Sequence, residues 1–343
     1  MGCAEEIQIK KLWEEYLTGF FSCWIIDMGL RLGLLKAIHK RSNGISAKEL
    51  AKRLKFDLQL VNVWCKAAYS FKLLEVNEKG NFYLDKPMDL LLIGDPTYPH
   101  FCIAPAIENY IGASESFFHF YEAFKTGKTL SFEEMGHFYR SSIEKDTLTM
   151  LSYLISSVLP GHPYLRNLAN KRAKILDFGC AAGLGMIQYA KNFENWSFVG
   201  VDIIQTLIQK AKENIKRNRL EDRIKAKLIA STRFNLGQNF DLIFLTFTLH
   251  EIKNKKLILR ELLKALKKNG SLVIFEFVRQ EDIRELRSFS GRMSMGQQIA
   301  EAIMGNILIS AREMRELLRV TNYRNIKEYS TPEKILKAYI AQR

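Results

Sequence analysis

The chain has 343 residues, 47% of them hydrophobic and 26% charged, which is ordinary for a soluble protein with enough residues for two domains. The formal charge of +14 raises the question of an acidic partner such as nucleic acid, but the lysines are spread along the chain. The densest run, Lys210 to Lys227, alternates with Glu213, Glu221 and Asp222 and reads as a solvated helix face. Five scattered cysteines without a C-x-x-C fit a reducing, cytoplasmic setting and no zinc site, and the six histidines show no metal spacing. Glu5, Glu6, Glu14 and Glu15 stand where a secretory leader would be basic and then apolar. Met1-Gly2-Cys3 lacks the Ser or Thr a myristoylation signal needs, since position 6 is Glu6. The most apolar run, Leu17 to Ile38, carries Asp27, Arg31 and Lys36, too much charge for a membrane span.

In chain order, residues 10 to 40 read as two helices broken near Gly19 or Gly29. Phe20, Phe21, Trp24, Ile25, Met28, Leu32 and Leu35 recur at helical spacing and give an unusually wide apolar face. A second copy of the chain could cover it. Ser46-Ala47-Lys48-Glu49 is a capping-box pattern opening a helix through Leu54, and Asp57 caps another to about Ser70. Leu73 to Val76 and Phe82 to Leu84 form a hairpin around Asn77 to Asn81. Helices followed by a hairpin make a winged helix. Its second helix, Leu58 to Tyr69, has one lysine and no arginine, too little for phosphates and base edges. Gly94 to Pro99 marks a boundary. Residues 100 to 168 read as helices rich in aromatics, among them Phe101, Tyr110, Phe117, Phe118, Tyr121, Phe124 and Phe132; His100, His119 and His137 read as structural.

From 174 onward strands and helices alternate: strand, helix (184–191), strand (197–201), helix (204–218), strands (224–229) and (240–246), helix (254–267), strand (271–277). That order predicts a mainly parallel, doubly wound sheet. Asn269 and Gly270 read as a helix stop. A helix over Ala311 to Val320 and strand segments at Ile326 to Tyr329 and Ala338 to Ala341 close the sheet.

The stretch Ile175-Leu176-Asp177-Phe178-Gly179-Cys180-Ala181-Ala182-Gly183 joins a buried strand to a helix through a turn of small residues. Such a turn brings backbone N–H groups up to a ligand. A second strand ends in Asp202, a carboxylate suited to the two hydroxyls of a ribose. A dinucleotide site shares these features. However, Asp177 lies two residues before the first glycine, and a negative charge there opposes a pyrophosphate and favours a cationic ligand. These residues resemble the class I S-adenosylmethionine-dependent methyltransferases, whose first motif is acid-x-Gly-x-Gly-x-Gly; Ala181 replaces the middle glycine. The resemblance implies a Rossmann-like α/β fold with the last strand antiparallel, and S-adenosyl-L-methionine as cofactor. It places Asp177, Gly179, Ala181, Gly183, Asp202, Ile203, Ser231 and Thr246 around that cofactor. Ser231 would stand where most relatives have an Asp for the adenine amino group.

Residues 12 to 98 resemble the N-terminal dimerisation domain of the small-molecule O-methyltransferases, at Leu32-Gly33-Leu34, at Glu49-Leu50-Ala51 after a capping Ser, and at the wing Gly80 to Leu84. Tyr121 to Lys128 resembles the helix-then-Gly-Lys linker of the same proteins. The implied layout is a winged-helix dimerisation domain over 1–99, a helical linker roofing the acceptor pocket over 100–168, and a cofactor-binding methyltransferase domain over 169–343. The implied partners are a small, largely apolar acceptor and a second copy of the chain. Phe101, Tyr110, Phe117, Met293 and Met304 are the expected pocket residues, with Phe289 and Met295 beside them.

His250 lies just beyond the strand that ends at Thr246, where a neutral imidazole can take a proton from a hydroxyl near pH 7. The alternative is a histidine that only orders its loop. The resemblance makes His250 the general base and Glu276 the acid that orients it. A second supporting acid is expected near Ser310 to Arg312, where none stands; Glu313 is the nearest replacement. Two other readings stay open: methylation at nitrogen or carbon, or of nucleic acid, and a non-catalytic winged-helix regulator. Thr246-Phe247-Thr248-Leu249 lacks the Asn/Asp-Pro-Pro-aromatic motif used on flipped-out adenines, and no Pro-Cys pair supplies a pyrimidine nucleophile.

Overall fold

The computed structural model describes residues 3–95, 97–98, 101–131, 134–229, 237 and 239–343. It divides into two compact units, Met1–Phe118 with Met135–Thr149, and His119–Glu134 with Met150–Arg343.

The first unit opens with α1 (Cys3–Arg31), a helix of 29 residues that runs unbroken through both glycines. The expected break near Gly19 or Gly29 falls instead at Gly33, whose φ of +71° turns the chain into α2 (Leu34–His39). Gly29 is there for contact: a Cβ on it would stand 2.6 Å from Trp64 and 2.9 Å from Leu35. The Trp64 indole N–H donates to the Ile25 carbonyl at 3.0 Å, which fixes α1 over α4 (Leu58–Ser70). Ile25, Leu34, Leu35, Ile38, Leu50, Trp64 and Leu74 share one core. The outer face of α1 stays open to solvent, with Trp13 68% and Phe20 58% exposed.

In α3 (Ala47–Leu54) the Glu49 N–H donates to the Ser46 hydroxyl at 3.2 Å, while the Glu49 carboxylate lies 3.7 Å from Arg41. Asp57 accepts from the Leu60 N–H at 2.9 Å, the cap expected for α4. A two-stranded hairpin follows, β1 (Glu75–Val76) with β2 (Phe82–Tyr83), and then α5 (Lys86–Leu92) and α6 (Ala104–Ser114).

The second unit takes in α7 (His119–Thr126). The helix α8 (His137–Tyr153) passes from the first unit to the second and continues through a π-helical turn (Leu154–Val158) into α9 (Leu159–Gly161) and α10 (Pro163–Ala169). Seven strands then form one sheet: β3 (Ala173–Phe178), β4 (Trp196–Asp202), β5 (Ile224–Leu228), β6 (Phe240–Thr246), β7 (Leu266–Phe277), β8 (Arg324–Ser330) and β9 (Leu336–Gln342), in the order β5-β4-β3-β6-β7-β9-β8. The five strands from β5 to β7 are parallel, and β9 runs antiparallel to both β7 and β8. Helices α11 (Leu184–Asn192), α12 (Gln205–Arg217), α13 (Lys255–Ala265), α14 (Phe289–Ala302) and α15 (Ala311–Val320) complete the unit. The strands β3 and β6, and β7 from Gly270 onward, are buried on both faces and read as near-continuous apolar runs.

The strand expected from 271 begins at Leu266. Asn269 adopts φ +68° inside the strand and absorbs the irregularity opposite Phe240 and Leu242, so Asn269-Gly270 bends a strand where a helix stop was expected. The outer strand β5 shows Lys225 and Lys227 to solvent, and β8 shows Arg324 and Lys327 at the other edge.

Gly29→Val should lower stability by about 2 kcal/mol or more through overpacking against Trp64. Gly19→Ala, with open space around it, should raise it by about 0.5–1 kcal/mol. Thermal unfolding of the two variants checks the pair; equal shifts would contradict the close contact at Gly29.

Candidate active site

Strand order reverses between β3 and β6, so their carboxyl ends flank the crevice where doubly wound sheets bind ligands. At the end of β3 the backbone turns through Gly179 (φ +82°), Ala181 (φ +44°) and Gly183 (φ +74°). A Cβ on Gly179 would lie 2.4 Å from the Thr248 side chain, so no other residue fits there. Ala181 holds a left-handed conformation that glycine would adopt freely, at about 1 kcal/mol. Gly179 and Cys180 N–H both donate to the Val201 carbonyl, at 2.8 and 3.1 Å, and this ties the turn to β4.

Asp202 secures the same junction. One carboxylate oxygen accepts from the Ala181 N–H at 2.8 Å and the other from the Ile204 N–H at 3.0 Å. Asp177, buried at the tip of β3, has its carboxyl pushed up to about 7 by burial, with the Asp202 charge adding to it. Two further buried polar groups, the Tyr189 hydroxyl, which feels the Asp177 charge, and the Thr246 hydroxyl, face each other here and have no further hydrogen-bond partner among the described residues. The turn therefore concentrates negative potential from two neighbouring carboxylates at one spot, the environment a cationic ligand would relieve. Ile203 is exposed beside Asp202. Ser231 lies outside the described residues.

The second half of the site is built after β6. Phe247 takes φ +50°, unusual for a bulky side chain, and its ring packs 5.3 Å from both Phe275 and Phe277. The chain then makes a 3₁₀ turn, Leu249–Glu251, that carries His250. Glu276 of β7 grips this turn twice: one oxygen accepts from the Leu249 N–H at 2.7 Å, the other meets His250 Nδ1 at 2.8 Å. His250 Nε2 faces Glu301 at 3.4 Å. Glu301 is held in turn by Gln297 and Asn306, both at 3.1 Å. Burial alone would lower the His250 pKa, but the Glu276 and Glu301 carboxylates outweigh it and hold it well above the usual histidine range. Burial would likewise raise Glu301, and the hydrogen bond and charge of His250 bring it below its ordinary value.

Glu313 does not reach this cluster. It closes the capping box of α15 with Ser310 and pairs with Arg279 at 2.9 Å. The second acid on the imidazole is Glu301, from α14, a residue passed over in the sequence. A signal was present: Ser294, Gln297, Gln298 and Glu301 follow helical spacing, and all four are buried. The helix turns a polar stripe inward.

Of the expected pocket residues, Met293, Met295 and Met304 are half-buried in the second unit, on or just after α14, and Phe289 is exposed. Phe101, Tyr110 and Phe117 stand in the first unit. Among the described residues no group of His, Cys, Asp and Glu could hold a metal ion.

Residues 169–326 match the family model described as a methyltransferase domain. A sequence relative, an uncharacterized protein of Rickettsia prowazekii designated RP028, is 28% identical over 144 residues, covering 38% of this chain and 56% of the relative. The chain thus spans little more than half the length of that relative. Three solved structures share the fold along nearly the whole chain. An O-methyltransferase family protein from Burkholderia thailandensis has TM-score 0.72 at 16% identity, covering 98% of this chain and 97% of its own. Human N-acetylserotonin methyltransferase, solved with S-adenosylmethionine, has TM-score 0.70 at 17% identity over 100% and 99%. The mitomycin 7-O-methyltransferase MmcR has TM-score 0.67 at 16% identity over 100% of both chains.

A carboxyl whose folded pKa is raised binds more protons in the folded state than in the unfolded one. Asp177 therefore weakens the protein as pH rises from about 4 to about 7, and the loss persists above that range. Asp177→Asn should remove this slope and stabilise the ligand-free protein at pH 8, by at most ~4 kcal/mol. Denaturant titrations at pH 5 and pH 8 check this; an unchanged difference between the two pH values would count against it.

Proposed function

We propose, from the premise that residues 169–326 are a methyltransferase domain set in a class I fold, that the chain transfers a methyl group from S-adenosylmethionine to a small molecule. The acceptor atom we assign is a hydroxyl oxygen. The observation that carries the reading is the junction at the strand tips, where the Asp202 carboxylate is locked onto the small-residue turn beside the buried Asp177.

The residues present fit the cofactor. Gly179, Ala181 and Gly183 would bring the backbone close, Asp202 would take the ribose hydroxyls, and Ile203 would lie beside the adenosine. Asp177, Tyr189 and Thr246 would face its polar and cationic end. The sulfonium brings an already activated methyl group. What remains for the protein is to align the acceptor, exclude water and remove one proton. Met293, Met295 and Met304 supply an adaptable apolar wall for that purpose.

His250 is the base in this reading and Glu276 the group that orients it. The two carboxylates keep the resting imidazole protonated, so its basic form grows as pH rises. Activity should accordingly climb with pH through and above the range in which an ordinary histidine titrates. A profile flat across that range would remove His250 from the proton step.

The exposed Trp13, Tyr16, Phe20, Phe21 and Met28 of α1 support a homodimer through this helix. The face of α4 that a DNA reader would use exposes Leu60 and Val63, which favours a protein contact over a phosphate one. No helix among the described residues is long and apolar enough to cross a membrane.

Asp202→Ala should weaken S-adenosylmethionine binding at least tenfold in calorimetry. Affinity at the wild-type level would reject the assignment. His250→Ala, with its fold intact by circular dichroism, should lose roughly 10²–10⁴ in turnover on an accepted hydroxyl substrate.

A further inference from the structure

The 3₁₀ turn bearing His250 ends in carbonyls with no partner inside the turn. Lys255 reaches back and supplies one: its ammonium donates to the Ile252 carbonyl at 2.7 Å and to the His250 carbonyl at 3.2 Å. The lysine stands at the first position of α13, where a helix dipole disfavours positive charge, and the first turn of that helix contains no acid. Lys256, next to it, points to solvent. Lys255 is half-buried instead, and burial lowers its pKa against the opposing pull of Glu276 and Glu313. A residue set against the local preference of its helix and partly withdrawn from water needs a compensating interaction.

Charge supplies that interaction. Glu276 from β7 and Glu301 from α14 put two negative charges on the imidazole. The imidazolium faces both, and the Lys255 ammonium acts on Glu276. Glu251, on the same turn, has its carboxyl pushed up to about 7 by burial, with His250 opposing and the Glu301 and Glu276 charges adding to it, so it is a third acid facing the imidazole; Glu313 acts on Lys255 from the first turn of α15. We propose that Lys255 is a positioning residue for His250, its ammonium fixing the carbonyls of the turn and offsetting the Glu276 carboxylate that grips the ring. In terms of activity this rests on His250 being the base; in terms of His250 titration it does not.

The test uses the full chain and two readouts: the NMR titration of His250, assigned by its loss in His250→Asn, and the pH dependence of kcat/KM. Lys255→Met leaves an uncompensated negative charge, so His250 should hold its proton more tightly. Its midpoint, and the rise of activity with pH, should both move up by about one pH unit. Lys255→Gln keeps a donor for the carbonyls without the charge and should show the same direction of shift. Lys255→Arg should stay within about 0.3 unit of wild type, as should Lys256→Met, which relieves the same dipole conflict without touching the turn. A His250 midpoint unmoved in both the Met and Gln variants, or moved equally by Arg, would overturn the proposal. If the Met variant does not fold, the Gln and Arg variants decide alone. Should no methyl transfer be found with any substrate, the titration still stands as the test of Lys255, and the failure then belongs to the assignment of the reaction.

Discussion

The hydrogen bond between the Asp202 carboxylate and the Ala181 N–H holds together the part of the molecule on which everything else depends. It joins the end of one strand to the turn after its neighbour. It also fixes the direction in which the remaining lone pairs of that carboxylate point. A charge-assisted bond of this kind is stronger than a neutral one and tolerates burial because both oxygens are satisfied. Asp177, one strand over, lacks such help and sits at higher energy. The two acids divide the work: one shapes the turn and the other keeps the site electrostatically incomplete.

The second acidic pair follows the same logic farther along the sheet. Glu276 uses one oxygen for backbone and one for the ring, so its loss would loosen a turn and misdirect an imidazole together. Glu301 depends on Gln297 and Asn306 for its own placement. Buried networks of this kind specify a single arrangement only when each member is satisfied. They favour uniqueness over raw stability, since apolar residues of the same volume would often be no less stable.

Much of this was legible in the sequence, for identifiable reasons. Alternating apolar runs and helices pointed to a mainly parallel, doubly wound sheet, and every residue of the β6 run was placed where the structure has it. The glycine turn and its two acids were readable because backbone geometry restricts what can stand there. The errors came from tertiary effects. Gly29 looks like a helix breaker until Trp64 is seen to need the space. Asn269-Gly270 has the chemistry of a helix end and serves as a strand irregularity. Glu301 escaped because helix reading looks for an apolar inner face, and α14 turns a polar one inward. Lys255 escaped because only the folded turn reveals the carbonyls it serves.

The charged outer strands carry a last implication. Among the described residues the sheet ends in β5 and β8, and an unpaired sheet margin is a template on which other chains can add rungs, ending in fibrils. Lysines along β5 and charged residues along β8 make that addition repulsive. Neutralising the lysines by acetylation, or screening all these charges with salt, would shorten the shelf life of concentrated solutions.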